Sequence, residues 1–306
     1  GTSTNMNANE VIANRALEIL GKPKSSYDII HPNNHINMSQ STNDVYPTAI
    51  KITLHELIFK LKDSLRFLRD CFDEKAIEFK NVLKMGRTQL QDAVPMTLGQ
   101  EFKTFAVMLD ADIFRLREAQ SLLKEVNLGA TAIGTGINTK ATYQRKVISN
   151  LREVTGVDYI SAGDLIEATQ DTGSFVHISG MLKSIAIKIS KICNDLRLLS
   201  SGPRAGFNEI NLPPLQPGSS IMPGKVNPVI PEVVNQVAFE VIGADMTIAM
   251  ASEHGQLQLN VFEPLIAFKL FNSINMMRRA FHSLGEKCIK GITANEDVCM
   301  ENILNS

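Results

Sequence analysis

The chain has 306 residues, with 31 Lys and Arg against 32 Asp and Glu for a net charge of -1, an apolar share of 44% and no Trp. At roughly 150 residues per domain, that length allows about two domains or one architecture of long helices. The balanced charge has no block of one sign to attract nucleic acid or an anionic bilayer, and no uninterrupted apolar run approaches the ~18 residues that would span one.

Cys71, Cys193, Cys288 and Cys299 show no CxxC or metal-site spacing and read as buried free thiols in a reducing compartment. The chain opens on Gly1-Thr2-Ser3-Thr4 without an initiator Met or a signal-peptide pattern, so it reads as beginning inside a motif of a longer protein.

The first two connectors, Gly1-Thr2-Ser3-Thr4-Asn5-Met6-Asn7 and Asn37-Met38-Ser39-Gln40-Ser41-Thr42-Asn43-Asp44, are small polar runs of the kind that cap helices. From Thr48 to about Lys80, apolar residues at Ile50, Leu54, Leu57, Leu61, Leu65, Leu68 and Phe72 recur every three or four positions, which predicts one long amphipathic helix. A third polar connector, Gly86-Arg87-Thr88-Gln89-Leu90-Gln91-Asp92, is expected at the next helix start, and the period returns at Phe102, Phe105, Leu109, Ile113 and Leu116. The stretch from Gly129 to Asn138 lacks dinucleotide-loop spacing and reads as a tight turn near the site. Another helix follows on Leu182, Ile185, Ile189, Ile192, Leu196 and Leu199.

Prolines then crowd between Pro203 and Pro231, interleaved with Gly202, Gly206, Gly218 and Gly224, and predict a long loop. Such a loop inside a helical protein is more often functional than idle. Val229 to Phe271 keeps an apolar stripe at Val234, Val237, Val241, Ala244 and Ile248 with few charges, so a helix covered on every side by subunit contacts is expected. No stretch of comparable length alternates with period two. The expected fold is mainly all-α, a bundle of long antiparallel helices.

The segment from Gly218 to Asn227 sets the hydroxyls of Ser219 and Ser220, the cation of Lys225 and the amide of Asn227 on a Gly/Pro frame. Its glycines are one residue too far apart for a phosphate loop, and it has no nucleophile elbow. The set suits holding a carboxylate and stabilising an oxyanion, although turn capping alone would also explain the Ser and Asn. With the three polar connectors it supplies many neutral donors and one Lys, which fits a small dianionic substrate. His31, His35 and His177 make no metal pattern and read as structural; no metal or cofactor is expected.

These four segments, in this order, resemble the fumarase/aspartase superfamily, whose signature GSSxMPxKxN stands intact from Gly218 to Asn227. The similarity covers essentially the whole chain and implies the superfamily's helical bundle, at the core of a homotetramer with each site shared among three chains. Members extend further at both ends. Residues 1–47 are therefore expected to end an N-terminal region with substrate loops, 48–290 to form the central bundle with the loop 218–227, and 291–306 to begin a truncated C-terminal domain.

The wording at Gly1 to Asn5, Ser41 to Pro47 and Asn211 to Pro217 is similar to the aspartase branch, and Gln89 stands where fumarases carry a His that helps handle water. A carboxamide cannot titrate near neutrality, which favours loss of ammonia over loss of water. The resemblance implies a cytoplasmic ammonia-lyase interconverting L-aspartate and fumarate. By motif position it implies Ser219 as an alkoxide base with Ser220 beside it, and Lys225 and Asn227 as carboxylate ligands. Thr2, Ser41, Thr42, Asn43, Thr88 and Gln89 would hold the rest of the substrate. The alternatives are a fumarase and a non-catalytic helical oligomer that keeps the fold.

One expectation needs no family. The Ser41 and Thr88 motifs flank the helix predicted over 48–80, whose ~33 residues at ~1.5 Å each span about 50 Å. If both touch one small substrate, they come from different subunits.

Overall fold

The apolar spacing of three and four is realised as helix over most of the chain. The structure, a computed structural model, describes residues 1–140, 142–216, 218, 221–222 and 224–305. Among these, nine α-helices are α1 (Thr2–Ile19), α2 (Thr42–Glu78), α3 (Leu98–Ser121), α4 (Tyr143–Thr155), α5 (Leu165–Gln170), α6 (Gly173–Leu199), α7 (Val229–Glu253), α8 (Glu263–Lys287) and α9 (Glu296–Leu304). Two-stranded sheets pair β1 (Leu83–Thr88) with β2 (Gln91–Thr97), β3 (Glu125–Val126) with β4 (Ile160–Ser161), and β5 (Ile210–Asn211) with β6 (Thr293–Ala294).

Three expectations are corrected. The long helix begins at Thr42 rather than Thr48, because Ser41 and Asp44 close a capping box: the Asn43 amide donates to Ser41 Oγ at 3.2 Å, and the Ser41 amide donates back to Asp44 Oδ1 at 3.0 Å. The Gly86 connector is not a helix start but part of an antiparallel hairpin, β1–β2, with a register shift between Met85 and Arg87. α3 begins beyond that hairpin, at the reciprocal pair Thr97 and Gln100. The apolar stretch from Val229 also does not run helically to Phe271; α7 stops at Glu253 and α8 restarts at Glu263.

The chain forms two compact units, Gly1–Glu56 with Ala119–Ile178 and Met246–Leu270, and Leu57–Glu118 with Ser179–Asp245 and Phe271–Ser306. In the second unit the helices make a bundle whose directions follow from their contacts. Along α2 and α3, Phe79 meets Phe102, Lys103 pairs with Asp73, Phe72 packs on Phe105 and Arg69 pairs with Asp110, so the two run antiparallel. Likewise Phe105 lies under Lys191 and Asp112 pairs with Lys188 across α3 and α6, while Arg197 faces Glu232 and Lys183 reaches Asp245 across α6 and α7. α2 and α8 run parallel, with Phe67 stacked on His282 and Lys75 donating to the Ile292 carbonyl beyond the end of α8. Leu61, Leu65, Leu68 and Phe72 are fully buried in this core, as the spacing predicts.

The first unit is built on a smaller core of Val126, Leu128, Ile148 and Tyr159, with Val45 and Ile52 of α2 packed against it. Its α1, a π-helical turn at Pro32–Ile36 and the start of α2 are tied together by amide side chains, Asn5 donating to both Asn37 and Thr42. His31 caps that turn by accepting from the Asn33 and Asn34 amides, and its own amide donates to His35, so both histidines hold local structure.

Helix α7 is long and apolar enough, by length and composition, to cross a membrane, a property hidden from a search for unbroken apolar runs by its scattered polar residues. Val234, Val241, Ala244 and Ile248 are buried, whereas Phe239, Met246 and Met250 on the other face are exposed. The expected cover on every side is therefore not supplied within the chain.

Candidate functional site

The candidate residues fall into two groups, one in each unit. In the first, Thr2 opens α1, Ser41 caps α2, and Thr42 and Asn43 fill its first turn. Gly1 lies so close to α2 that a side chain there would come within 3.0 Å of the Thr42 methyl and 3.3 Å of the Tyr46 ring. Asn5 Nδ2 donates to Thr42 Oγ1 at 3.0 Å and to Asn37 Oδ1, and Asn9 Nδ2 joins the same Asn37 oxygen at 3.2 Å. Asn5 and Asn9 are buried, so this carboxamide net fixes the Thr42 hydroxyl from below.

Asp44, which the sequence places in the second polar connector but not among the candidate site residues, organises the group. Fully buried, it accepts the Ser41 amide on one oxygen and the Gly129 and Thr131 amides, at 3.0 and 2.9 Å, on the other. Thr131 is held left-handed at φ 60°, a conformation β-branched residues avoid. Asn43 Nδ2 donates to the Ala132 carbonyl at 2.7 Å, leaving its Oδ1 as the group free of that bond. The Gly129 stretch is thus a tight turn clamped to the Ser41 motif. Ser41-x-x-Asp44 is a capping-box pattern, and that signal would have found Asp44 in the sequence.

Glu263 opens α8 in the same unit. It is 6% exposed, and burial pushes its carboxyl up to about 8, with Lys51 opposing. Its folded pKa lies above the ordinary 4.5, so its stabilising contribution is present below that value and is lost as pH rises through about 8. Glu263→Gln is therefore expected to stabilise the chain progressively over that window, by about 1.4 kcal/mol per pH unit at most, in urea unfolding compared at about pH 5 and about pH 8. An equal difference at both pH values would refute the assignment. A separate cavity of about 440 Å³ in this unit, lined by Lys51, Glu125, Glu167, Asp171 and His177, contains none of the candidate residues.

In the second unit, Thr88 ends β1 and Gln89 begins the hairpin turn; both are exposed. Gln89 and Leu90 sit at φ 53° and 62°, a mirror-image turn that normally selects Asn or Gly. Lys225 and Asn227 line a cavity of about 240 Å³ with Ser200, Asn208 and Asn211. The ends of their loop are pinned together: the Gly218 amide donates to the Lys225 carbonyl at 3.0 Å, and Asn227 Nδ2 donates to the Gly218 carbonyl at 3.3 Å. A Cβ on residue 218 would lie 2.1 Å from that Lys225 oxygen, so only glycine fits. Ser219 and Ser220 lie outside the described residues.

All four cysteines are buried free thiols; burial pushes Cys71 and Cys299 up to about 11, Cys288 to about 12 and Cys193 further still.

A helical bundle with a polar hairpin turn and a glycine-pinned Lys–Asn loop matches known proteins throughout. A family model described as Lyase matches residues 1–243. Aspartate ammonia-lyase of Helicobacter pylori (strain ATCC 700392 / 26695) is 61% identical over 306 residues, covering 100% of this chain and 65% of the relative. The fumarate lyase:delta crystallin of Brucella melitensis bound to cobalt superposes with a TM-score of 0.98 at 56% identity, covering 100% of this chain and 66% of that one. A class II fumarase from Schistosoma mansoni reaches a TM-score of 0.95 at 35% identity, with 99% and 67% covered. The chain belongs to this lyase family, the fumarase/aspartase superfamily. It spans about two thirds of the length of these relatives.

Proposed function

We propose that the protein containing this chain is an ammonia-lyase that reversibly eliminates ammonia from L-aspartate to give fumarate. The observation that carries the reading is the 61% identity to an aspartate ammonia-lyase along the entire chain, against 35% to a class II fumarase. Gln89 supports it independently, because a carboxamide in the hairpin turn does not titrate near neutrality and cannot serve as the acid–base group that loss of water calls for.

In this reading Ser219 takes a proton from the carbon next to the side-chain carboxylate, and that carboxylate then carries two negative charges. The electron pair forms the double bond as the carbon–nitrogen bond breaks, and ammonia leaves from the opposite face. Lys225 and Asn227, with Ser220, stabilise the doubly charged carboxylate. Thr2, Ser41, Thr42, Asn43, Thr88 and Gln89 hold the second carboxylate and the amine. Each well-placed donor is worth about 3 to 4 kcal/mol, so several together supply a large part of the roughly 8 to 23 kcal/mol of an enzymatic acceleration.

The reading includes a homotetramer with shared sites. Ser41 caps the start of α2 and the Thr88 hairpin follows its end, and 37 helical residues at ~1.5 Å each separate those ends by about 55 Å. The exposed Phe239, Met246 and Met250 of α7 supply an apolar face for a second copy. Residues 48–290 would be the central domain, between an N-terminal region ending at 47 and a C-terminal domain starting at 291. Four buried thiols suit a cytoplasmic enzyme.

The test is formation of fumarate, followed by its absorbance, from L-aspartate and separately from L-malate, with the full-length protein at a sedimentation-defined size. Activity on aspartate by a tetramer is expected. Turnover of malate alone refutes the substrate, and full activity as a monomer refutes the shared site.

A further inference from the structure

The hairpin that presents Thr88 and Gln89 cannot hold its turn by sequence alone, since Gln89 and Leu90 occupy left-handed conformations that cost both residues energy. Something beneath must over-determine it. One residue outside every motif is placed to do so. Glu209 is 0% exposed, and each of its carboxylate oxygens faces a cation of β1: Arg87 Nη1 at 2.6 Å and Lys84 Nζ at 2.9 Å. Lys84, itself only 2% exposed, also reaches Glu101 of α3 at 2.5 Å. The Arg87 guanidinium lies over the Phe207 ring at 4.3 Å.

The backbone of Glu209 is equally committed. Its amide donates to the Leu199 carbonyl at the end of α6, and its carbonyl accepts the amide of Asn295, the residue capping α9. Glu209 thus ties β1 to α6 and α9, and Arg87 is the residue immediately before Thr88. Glu209 and Glu101 balance Lys84 and Arg87, with the exposed Asp92 a further 4.0 Å from Arg87 Nε, so removing the Glu209 charge strands the buried Lys84 and weakens the hold on Arg87. A cavity of about 190 Å³ lined by Arg87, Leu90 and Phe207 lies under the turn and gives it room to shift once the anchor is lost.

We infer that Glu209 is a positioning residue that acts through Arg87 and Lys84 to hold the strained turn, and hence Thr88, in the geometry that meets the substrate. This deepens the proposed lyase reading and rests on it for the link to catalysis, but the physical anchoring is testable without any activity.

The experiment uses Glu209→Gln in the full-length protein, with Arg87→Lys as a second variant that keeps the buried charge while losing the planar contact. Hydrogen exchange of amides 87–92 is expected to accelerate about tenfold or more while the α2 and α3 amides of the core keep wild-type protection. The kcat/KM for aspartate is expected to fall about 10- to 100-fold, mostly in kcat. In a Thr88→Val background the same Glu209→Gln change is expected to alter kcat/KM less than about threefold, because both substitutions remove one function. If Glu209→Gln does not fold, Arg87→Lys is put through the same measurements. Unchanged exchange at the turn in a folded variant overturns the inference, whatever the enzyme's substrate proves to be. Faster exchange with fully additive losses in the double variant overturns the route through Thr88. Absence of activity in the wild type refutes the lyase reading alone, since the exchange result stands by itself.

Discussion

Ser219→Ala is expected to lower kcat for fumarate formation about 10²- to 10⁴-fold, the range a general base contributes, with a much smaller change in KM. The alanine removes the only atom proposed to take the proton, while the carboxylate ligands Lys225 and Asn227 remain. The frame should persist, because the loop ends are closed by the Gly218 amide on the Lys225 carbonyl and by Asn227 on the Gly218 carbonyl. Stopped-flow or steady-state assays on the full-length protein decide the matter. A variant with wild-type kcat assigns the proton to another group and removes Ser219 from the mechanism.

The second large effect is expected at Asp44→Asn. Two buried amides, from Gly129 and Thr131, and the partly buried amide of Ser41 converge on two carboxylate oxygens. An asparagine offers one oxygen and an NH2 group, so at least one of those N–H groups faces a donor in place of an acceptor. Burial already pushes the Asp44 carboxyl up despite these donors, so losing the charge offsets part of the damage. A net loss of about 2 to 4 kcal/mol in unfolding free energy follows from the stranded donors. The Gly129 turn and the Ser41 cap share this one anchor, so kcat/KM is expected to fall at least about tenfold as well. Wild-type stability and kinetics together would show that the turn is held by other contacts.

The parts of the fold governed by local repetition were legible. The stripe from Ile50 to Phe72 is buried as spaced except at Leu57, which is half-buried while Ile58 beside it fills the core, and both capping boxes could be read as four-residue patterns, Ser41 to Asp44 and Thr97 to Gln100. The β1–β2 hairpin was not, because its signals cancel: Gly86 and Pro95 interrupt the strands, and Gln89-Leu90 is not a turn dipeptide. Its stability is tertiary, supplied by Glu209 from a distant part of the chain. The signature from Gly218 to Asn227 identified the family, yet Ser219 and Ser220 lie outside the described residues, so the role of Ser219 rests on sequence and on the relatives. The weak charge of α7 suggested cover on every side, whereas only the face carrying Phe239, Met246 and Met250 is left exposed within the chain.

The four cysteines also amount to a built-in clock. Cys71, Cys193, Cys288 and Cys299 all belong to the second unit, and none has both an accessible sulfur and an easily formed thiolate. A thiol reagent added to the native protein can therefore advance only as fast as that unit opens, while the first unit, with no thiol at all, stays silent. Labelling resolved by cysteine would time the opening of α2, α6 and α9 separately, without introducing a single probe.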